Sequence, residues 1–153
     1  MMDFSQKLLG SIEAYQYHRA RKGPVHALMR KMARARHLLW SILTQSDVHP
    51  QARLGRNIML PHPNGVIIHE DAIIGDDCMI MQQVTVGMIG EDQVPRIGKR
   101  VYIGAGAKII GNVNVGDDSR IGANAVVTKD VPPFCTAVGV PARVIERNSN
   151  EGC

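Results

Sequence analysis

The chain has 153 residues, enough for one domain with its own core, and 44% of them are hydrophobic but only 4% aromatic. Its three cysteines show neither metal-ligand spacing nor an even disulfide set, which excludes a disulfide-stapled scaffold. No apolar run approaches the roughly 18 residues of a membrane span, which excludes a membrane-spanning protein. The formal net charge of +4 is uneven, because residues 1–45 carry eight Lys or Arg and two acids, which leaves 10 of the 18 basic and 12 of the 14 acidic residues to the rest.

Residues 1–45 form a basic segment in which Gly23-Pro24 predicts a break between two helices. In the second helix, apolar residues recur at helical spacing and basic residues lie on the other faces. The apolar positions are Val25, Leu28, Met29, Met32, Leu39 and Leu43. Two interpretations stay open: a helix that caps the rest of the domain with a solvated basic face, or a cationic helix that lies on an anionic membrane with Trp40 at its boundary. Nucleic-acid binding is disfavoured because aromatic interleaving and binding motifs are lacking.

The start of the chain, MMDFSQKLLGSIEAYQYHR, has an acid at Asp3 and lacks the long apolar core that is typical of a signal peptide. We therefore expect a cytoplasmic protein. We also leave open that the basic segment contacts the inner face of the membrane peripherally.

An aliphatic residue recurs every six residues through the middle of the chain, with longer gaps after Leu60 and after Val86. The thirteen positions are Val48, Leu54, Leu60, Ile68, Ile74, Ile80, Val86, Ile97, Ile103, Ile109, Val115, Ile121 and Val127. Glycine often follows, and we expect it there to accept the strained dihedral of a corner. Period six fits neither a helix nor the alternation of a β-sandwich. A corner every six residues closes a three-sided coil of about eighteen residues, so residues 46–130 predict a β-solenoid of roughly four coils.

Residues 131–153 form a C-terminal tail. Pro132-Pro133 predict the end of the coil, and the stretch from Val138 to Ile145 is expected to pack back along the solenoid. Residues 146–153 are polar and are expected to fray.

Five stretches within residues 46–145 resemble the hexapeptide-repeat acyltransferases, most closely the serine acetyltransferases and their relatives in polysaccharide clusters. They are Asp47-Val48-His49-Pro50, Gly65-Val66-Ile67-Ile68, Gln82-Gln83-Val84-Thr85-Val86-Gly87, Ile103-Gly104-Ala105-Gly106-Ala107-Lys108 and Gly139-Val140-Pro141-Ala142-Arg143. The resemblance implies a left-handed parallel β-helix that assembles as a homotrimer, with acetyl-CoA bound as co-substrate in the groove between neighbouring subunits and no metal.

Acyl transfer from a thioester to an alcohol needs a base that takes the hydroxyl proton. His62 lies in the first bulge of the repeat, and the resemblance implies that it is this base, oriented by Asp47, fifteen residues earlier. His49 and His69 are weaker candidates at corner positions. An acyl-cysteine on Cys78 is the mechanistic rival, disfavoured because that position is expected to be buried.

Further residues are expected to hold the two substrates. The corners Gly104-Ala105 and Gly122-Ala123 offer backbone amides and room for the pantetheine arm, and family correspondence places CoA against them. The cations that could meet its phosphates are Lys129 and Arg143. The neutral groups that could bind the acceptor are Asn64 and Gln93.

The acceptor is where the chain departs from the serine enzymes. They carry an aspartate where this chain has Pro61, and Arg-His where it has Gln93-Val94, so a charged grip on an amino acid is lost. We therefore expect a sugar hydroxyl of a polysaccharide precursor, with L-serine as the alternative. Two other classes are disfavoured: a zinc carbonic anhydrase, because no His-x4-His pair exists, and a non-catalytic scaffold, which leaves the spacing of Asp47 and His62 unexplained.

Overall fold

A computed structural model describes residues 4–90 and 93–145. Two helices come first, α1 (Phe4–Arg19) and α2 (Pro24–Thr44), and they pack against each other as a hairpin. The predicted break at Gly23-Pro24 is confirmed, with Pro24 in the first turn of α2, where its lack of an N–H costs nothing. Leu8 and Ile12 of α1 are buried in the same core as the solenoid, so the hairpin covers one end of it.

Short strands follow, two or three residues each. They are β1 (Asp47–Val48), β2 (Arg53–Leu54), β3 (Ile67–Ile68), β4 (Ile73–Ile74), β5 (Met79–Ile80), β6 (Thr85–Gly87), β7 (Arg96–Ile97), β8 (Tyr102–Ile103), β9 (Lys108–Ile110), β10 (Asn114–Val115), β11 (Arg120–Ile121), β12 (Val126–Val127), β13 (Thr136–Val138) and β14 (Arg143–Ile145). They form three faces of a prism: face A is β1-β3-β6-β9-β12, face B is β2-β4-β7-β10, and face C is β5-β8-β11-β13-β14.

Successive coils stack in parallel register, so that each aliphatic residue of the six-residue repeat lies over its counterpart in the next coil. On face A, for example, Val48 pairs with Ile68, Ile68 with Val86, and Val86 with Ile109. Every repeat position is buried except Leu54, which is half-buried beside the helices. The predicted fold class, a parallel β-helix preceded by helices, is confirmed.

The glycines that follow the repeat positions have a different role from the one predicted. None of them has a positive φ; the left-handed corner residues are instead mostly non-glycine, such as Asn57, Asp77 and Asp118. A Cβ on Gly98 would lie 2.3 Å from the side chain of Asp117, and one on Gly104 would lie 2.6 Å from the backbone of Ala123. Glycine is required at these corners because adjacent coils approach too closely for a side chain.

The coil continues past the predicted boundary at residue 130. Val131 forms a parallel bridge with Val115, and β13 extends face C by pairing in parallel with β11. The prolines are accommodated because they lie at the end of the stack, where no further strand needs their missing N–H. Only β14 turns back, antiparallel to β13.

The second helix packs through a face other than its apolar stripe. Its buried residues are Ala33, His37 and Thr44, whereas Leu28 and Leu39 are more than half exposed. Within the described part of the chain, neither helix is both long and apolar enough to cross a bilayer.

Candidate active site

One edge of the prism brings most of the predicted site residues together. We call it the C–A edge, formed by residues 61–66, 81–84, 104–107 and 122–125, where the chain passes from face C to face A in successive coils, and by residues 139–142, where it turns from β13 back into β14. Backbone hydrogen bonds stack these corners: the N–H of Gln83 donates to the carbonyl of Asn64 (2.8 Å), that of Gly106 to Gln82 (2.9 Å), and that of Asn124 to Ala105 (2.8 Å). Coils are about 4.8 Å apart, so His62 lies about two coils, roughly 10 Å, along the edge from Ala105.

The bulge that carries His62 is fastened to the segment that leads into Asp47. The hydroxyl of Ser46, a buried side chain, donates to the carbonyl of Pro63 and accepts the N–H of Val66 at 3.3 Å. The N–H of Asp47 in turn donates to the carbonyl of Val66 at 2.9 Å. Residues 46–47 and 63–66 are thereby held side by side, with the imidazole and the carboxylate exposed on adjoining segments.

Gln45 and Asn64 make a second fastening on the solvent side of the bulge. The side-chain amide of Asn64 donates to Gln45 Oε1 at 3.1 Å, and the N–H of Gly65 donates to the carbonyl of Gln45 at 3.1 Å. Gly65 has φ +67, which favours glycine at this bend. These contacts orient Asn64 beside the bulge, so its amide is one of the polar groups next to His62.

The first helix forms a wall of the groove that His62 enters. A cavity of about 690 Å³ is lined by Phe4, Leu9 and other residues of α1 on one side, and by Met59 and residues 60–63 on the other. The hydroxyl of Ser5 donates to the carbonyl of Leu60 and so ties α1 to the base of the bulge. This wall could not be found from the sequence, because it depends on how the helical hairpin packs against the first coil.

His37 of α2 is a buried histidine that the sequence did not single out. It lies against the hydroxyls of Ser11 (3.2 Å from Nδ1) and Ser41 (3.4 Å from Nε2). Burial lowers the pKa of His37, with His49 acting in the same direction and Asp47 opposing it. A neutral imidazole under the first coil thus supports the strand that begins with Asp47.

Three further predicted residues lie beside the C–A edge or at another edge of the prism. Arg143 pairs with Val138 at the end of face C next to the C–A edge, so it is close to the corner of Gly122-Ala123. Gln93 and Lys129 are exposed at the edge between faces A and B, one face away from His62. A single chain therefore does not bring these two residues to the same groove as the base.

The rival candidates are placed away from His62 or are shielded. Cys78 is fully buried, burial raises the pKa of its thiol, and its Sγ lies 3.1 Å from the carbonyl of Gly98. His49 and His69 stack at the edge between faces A and B, next to the carboxylate of Glu70 for the first and of Asp71 for the second. Among the described residues, the group of three with metal-ligating atoms within 4.8 Å of one another is His69, Glu70 and Asp71, which excludes His62.

Comparison with known proteins shows which proteins the chain resembles. Residues 95–129 match the bacterial transferase hexapeptide model, which has six repeats. Serine acetyltransferase from Mycobacterium tuberculosis is 50% identical over 119 residues, which cover 76% of this chain and 52% of that protein. The structure of soybean serine acetyltransferase complexed with serine has a TM-score of 0.81 at 36% identity over 95% of this chain and 58% of that one. A serine acetyltransferase in complex with CoA gives 0.72 at 38% identity, over 88% of this chain and 55% of that one.

These similarities confirm the predicted resemblance and correct the predicted acceptor. The sugar acceptor expected from Pro61 and Gln93 is wrong, because the relatives found are serine acetyltransferases, which supports the serine alternative. Two altered positions weigh less than 50% identity over 119 residues. The chain spans about half the length of the curated relatives it matches. Its solenoid carries the bacterial transferase hexapeptide repeat and is similar in sequence and structure to the serine acetyltransferases.

Proposed function

We propose that this protein transfers the acetyl group of acetyl-CoA to the hydroxyl of L-serine, giving O-acetylserine and free CoA. The observation that carries the proposal is the fastening of the His62 bulge beside Asp47, on the same edge as the small-residue corners of the later coils. Relatives with this fold have been solved with serine and with CoA, which supports the same pair of substrates here.

In this mechanism His62 acts as the general base. A neutral imidazole takes the proton of the serine hydroxyl while the oxygen attacks the thioester carbonyl, so the O–C bond forms as the proton leaves. When the tetrahedral intermediate collapses, the C–S bond breaks and the imidazolium returns its proton to the departing sulfur. The groove between α1 and residues 59–63 gives the acceptor access to this imidazole.

Asp47 is a positioning residue in the proposal. Its carboxylate, on the segment bonded to the bulge, would orient the imidazole and stabilise its protonated form during transfer. A direct transfer is favoured over an acyl-cysteine, because Cys78 is shielded from substrates in the core and its pKa is raised.

CoA would lie along the C–A edge. The corners at Gly104-Ala105 and Gly122-Ala123 leave room beside the backbone, and Arg143 is at the far end of the same edge, where it could meet a phosphate. Lys129 and Gln93 are at another edge, so they could contribute only to a groove shared by two subunits. We therefore include in the proposal a homotrimer whose active sites lie between subunits.

The substitutions at Pro61 and Gln93 then bear on how serine is held. Neither side chain offers a charge, so the amino and carboxylate groups of serine would rely on the Asp47 carboxylate, on neutral donors such as Asn64, and on groups of the second subunit. This leaves the reaction intact and changes only the way in which the acceptor is gripped.

The proposal is tested by following free thiol release from acetyl-CoA with and without L-serine, and by identifying the product by mass spectrometry. We expect release that depends on L-serine and a product with one added acetyl group on the oxygen. D-serine and L-alanine serve as controls, since one has the wrong configuration and the other has no hydroxyl. Thiol release that L-serine does not stimulate would contradict the proposed acceptor.

A further inference from the structure

The outer surface of α2 carries an unusual concentration of exposed apolar side chains. Val25 is 68% exposed, Ile42 66%, and Leu28, Met32 and Leu39 are each more than half exposed. The helix is tied to the rest of the molecule by its opposite face, through Ala33, His37 and Thr44. Its apolar side is therefore available to a partner without any rearrangement of the fold.

These residues form a continuous stripe. Val25, Leu28, Met32, Leu39 and Ile42 recur at intervals of three, four and seven residues, which places them on one side of a helix that turns about 100° per residue. The 21 residues of α2 give a stripe roughly 30 Å long. A surface of this kind on a folded domain marks an interaction site.

The charges around the stripe have one sign. Residues 24–44 contain no Asp or Glu, and they carry Arg30, Lys31, Arg34 and Arg36. Lys31 and Arg36 border the stripe on its two sides at helical spacing, and both are exposed. Arg30, Lys31 and Arg34 take part in no ion pair within the described part of the chain, so their charges are not neutralised locally.

The charge pattern decides between the two simplest occupants of this surface. If a second copy of α2 packed on the stripe, the bordering cations of both helices would be brought together with no acid to offset them, which is unfavourable. An anionic lipid surface meets both features at once, because the apolar stripe enters the interface while Lys31 and Arg36 reach the headgroups. A partner without charge would cover the apolar stripe but would leave the bordering cations without a counter-charge.

We infer that α2 is an interfacial helix, which docks the protein on anionic lipid bilayers by inserting its apolar stripe between the headgroups. The helix lies in the plane of the interface and does not cross the bilayer. This inference does not depend on the acetyl-transfer proposal, because its site is on the outside of the helical hairpin and its readout is binding to lipid.

The test is co-sedimentation of the full chain with vesicles of neutral phosphatidylcholine or of phosphatidylcholine with phosphatidylserine. We expect binding to the anionic vesicles only, weakening when NaCl is raised from 0.1 M to 1 M, which shortens the screening length from about 10 to about 3 Å. Lys31→Gln with Arg36→Gln should lower the partition coefficient about 25-fold, at roughly fivefold for each cation near the surface. Arg53→Gln with Arg96→Gln, the same charge change on face B, is the matched control and should stay within twofold.

A second variant tests the apolar contribution. Leu28→Ser with Leu39→Ser changes two exposed side chains, so the fold should be retained, and binding to anionic vesicles should fall at least tenfold. Equal binding to neutral and anionic vesicles, or no binding to either, would overturn the inference. If the wild type ignores vesicles but forms a larger assembly that this variant loses in light scattering, the occupant is a second copy of the chain and the inference is likewise overturned.

Discussion

Ser46→Ala perturbs the fastening between the His62 bulge and the segment of Asp47 without touching either residue. The change removes the hydroxyl that donates to the carbonyl of Pro63, which contributes about 0.5–1.5 kcal/mol. It also leaves the N–H of Val66 without the acceptor it has at 3.3 Å, at a further cost of about 1–3 kcal/mol. At about 2–4 °C for each kcal/mol, we expect the Tm to fall by several degrees.

The effect on catalysis should exceed the effect on stability. Because the bulge is no longer held in register, kcat should fall about 10- to 100-fold, while the KM for acetyl-CoA changes little. Ser119→Ala is the matched control: its hydroxyl is also buried and also donates to a proline carbonyl, that of Pro132, at 2.8 Å. Thermal unfolding and thiol release are measured for both variants. Equal kcat values in the two variants would refute the role assigned to the fastening.

Three further predictions concern pH, packing and assembly. Because burial lowers the pKa of His37, the unfolded chain binds a proton there more readily than the folded protein does. The free energy of unfolding should therefore decrease as the pH falls below about 6.5, and His37→Gln should flatten that dependence. Gly104→Ala should destabilise the protein by more than about 1 kcal/mol in denaturant unfolding, because its Cβ would lie 2.6 Å from the backbone of Ala123. Gly10→Ala is the control: the position has open space around it in α1, so the change should be neutral or stabilising. Light scattering should give the mass of a trimer, and a monomer that still binds CoA would contradict shared sites.

The core could be predicted from the sequence because a solenoid is specified by a local repeat. Each aliphatic residue has the same environment as the one a coil away, so the period alone identifies buried positions such as Val86 and Ile103. The same reliance on periodicity led to the wrong prediction of the role of the glycines. Periodicity shows that a corner needs glycine, but only the stacking distance shows that a side chain would meet the next coil.

The packing of the helices and the identity of the acceptor could not be predicted from the six-residue repeat. Helical spacing identified the apolar stripe of α2 but could not say which side packs, and the structure buries the side with Ala33 and His37. The family resemblance implied that His62 and Asp47 are neighbours, and their roles stay predictions. The acceptor was inferred from the loss of charge at Pro61 and Gln93. The relatives found contradict that inference, because they are serine acetyltransferases.

The most direct test of the central claim compares His62→Ala with His69→Ala in the acetylation of L-serine. Both changes remove an accessible histidine from a corner of the solenoid, but only the first removes the proposed base, which lies on the C–A edge. We expect kcat for L-serine to fall about 100-fold or more in His62→Ala, with an unchanged unfolding temperature, and to stay within about twofold in His69→Ala. Turnover near that of the wild type in His62→Ala would contradict the account.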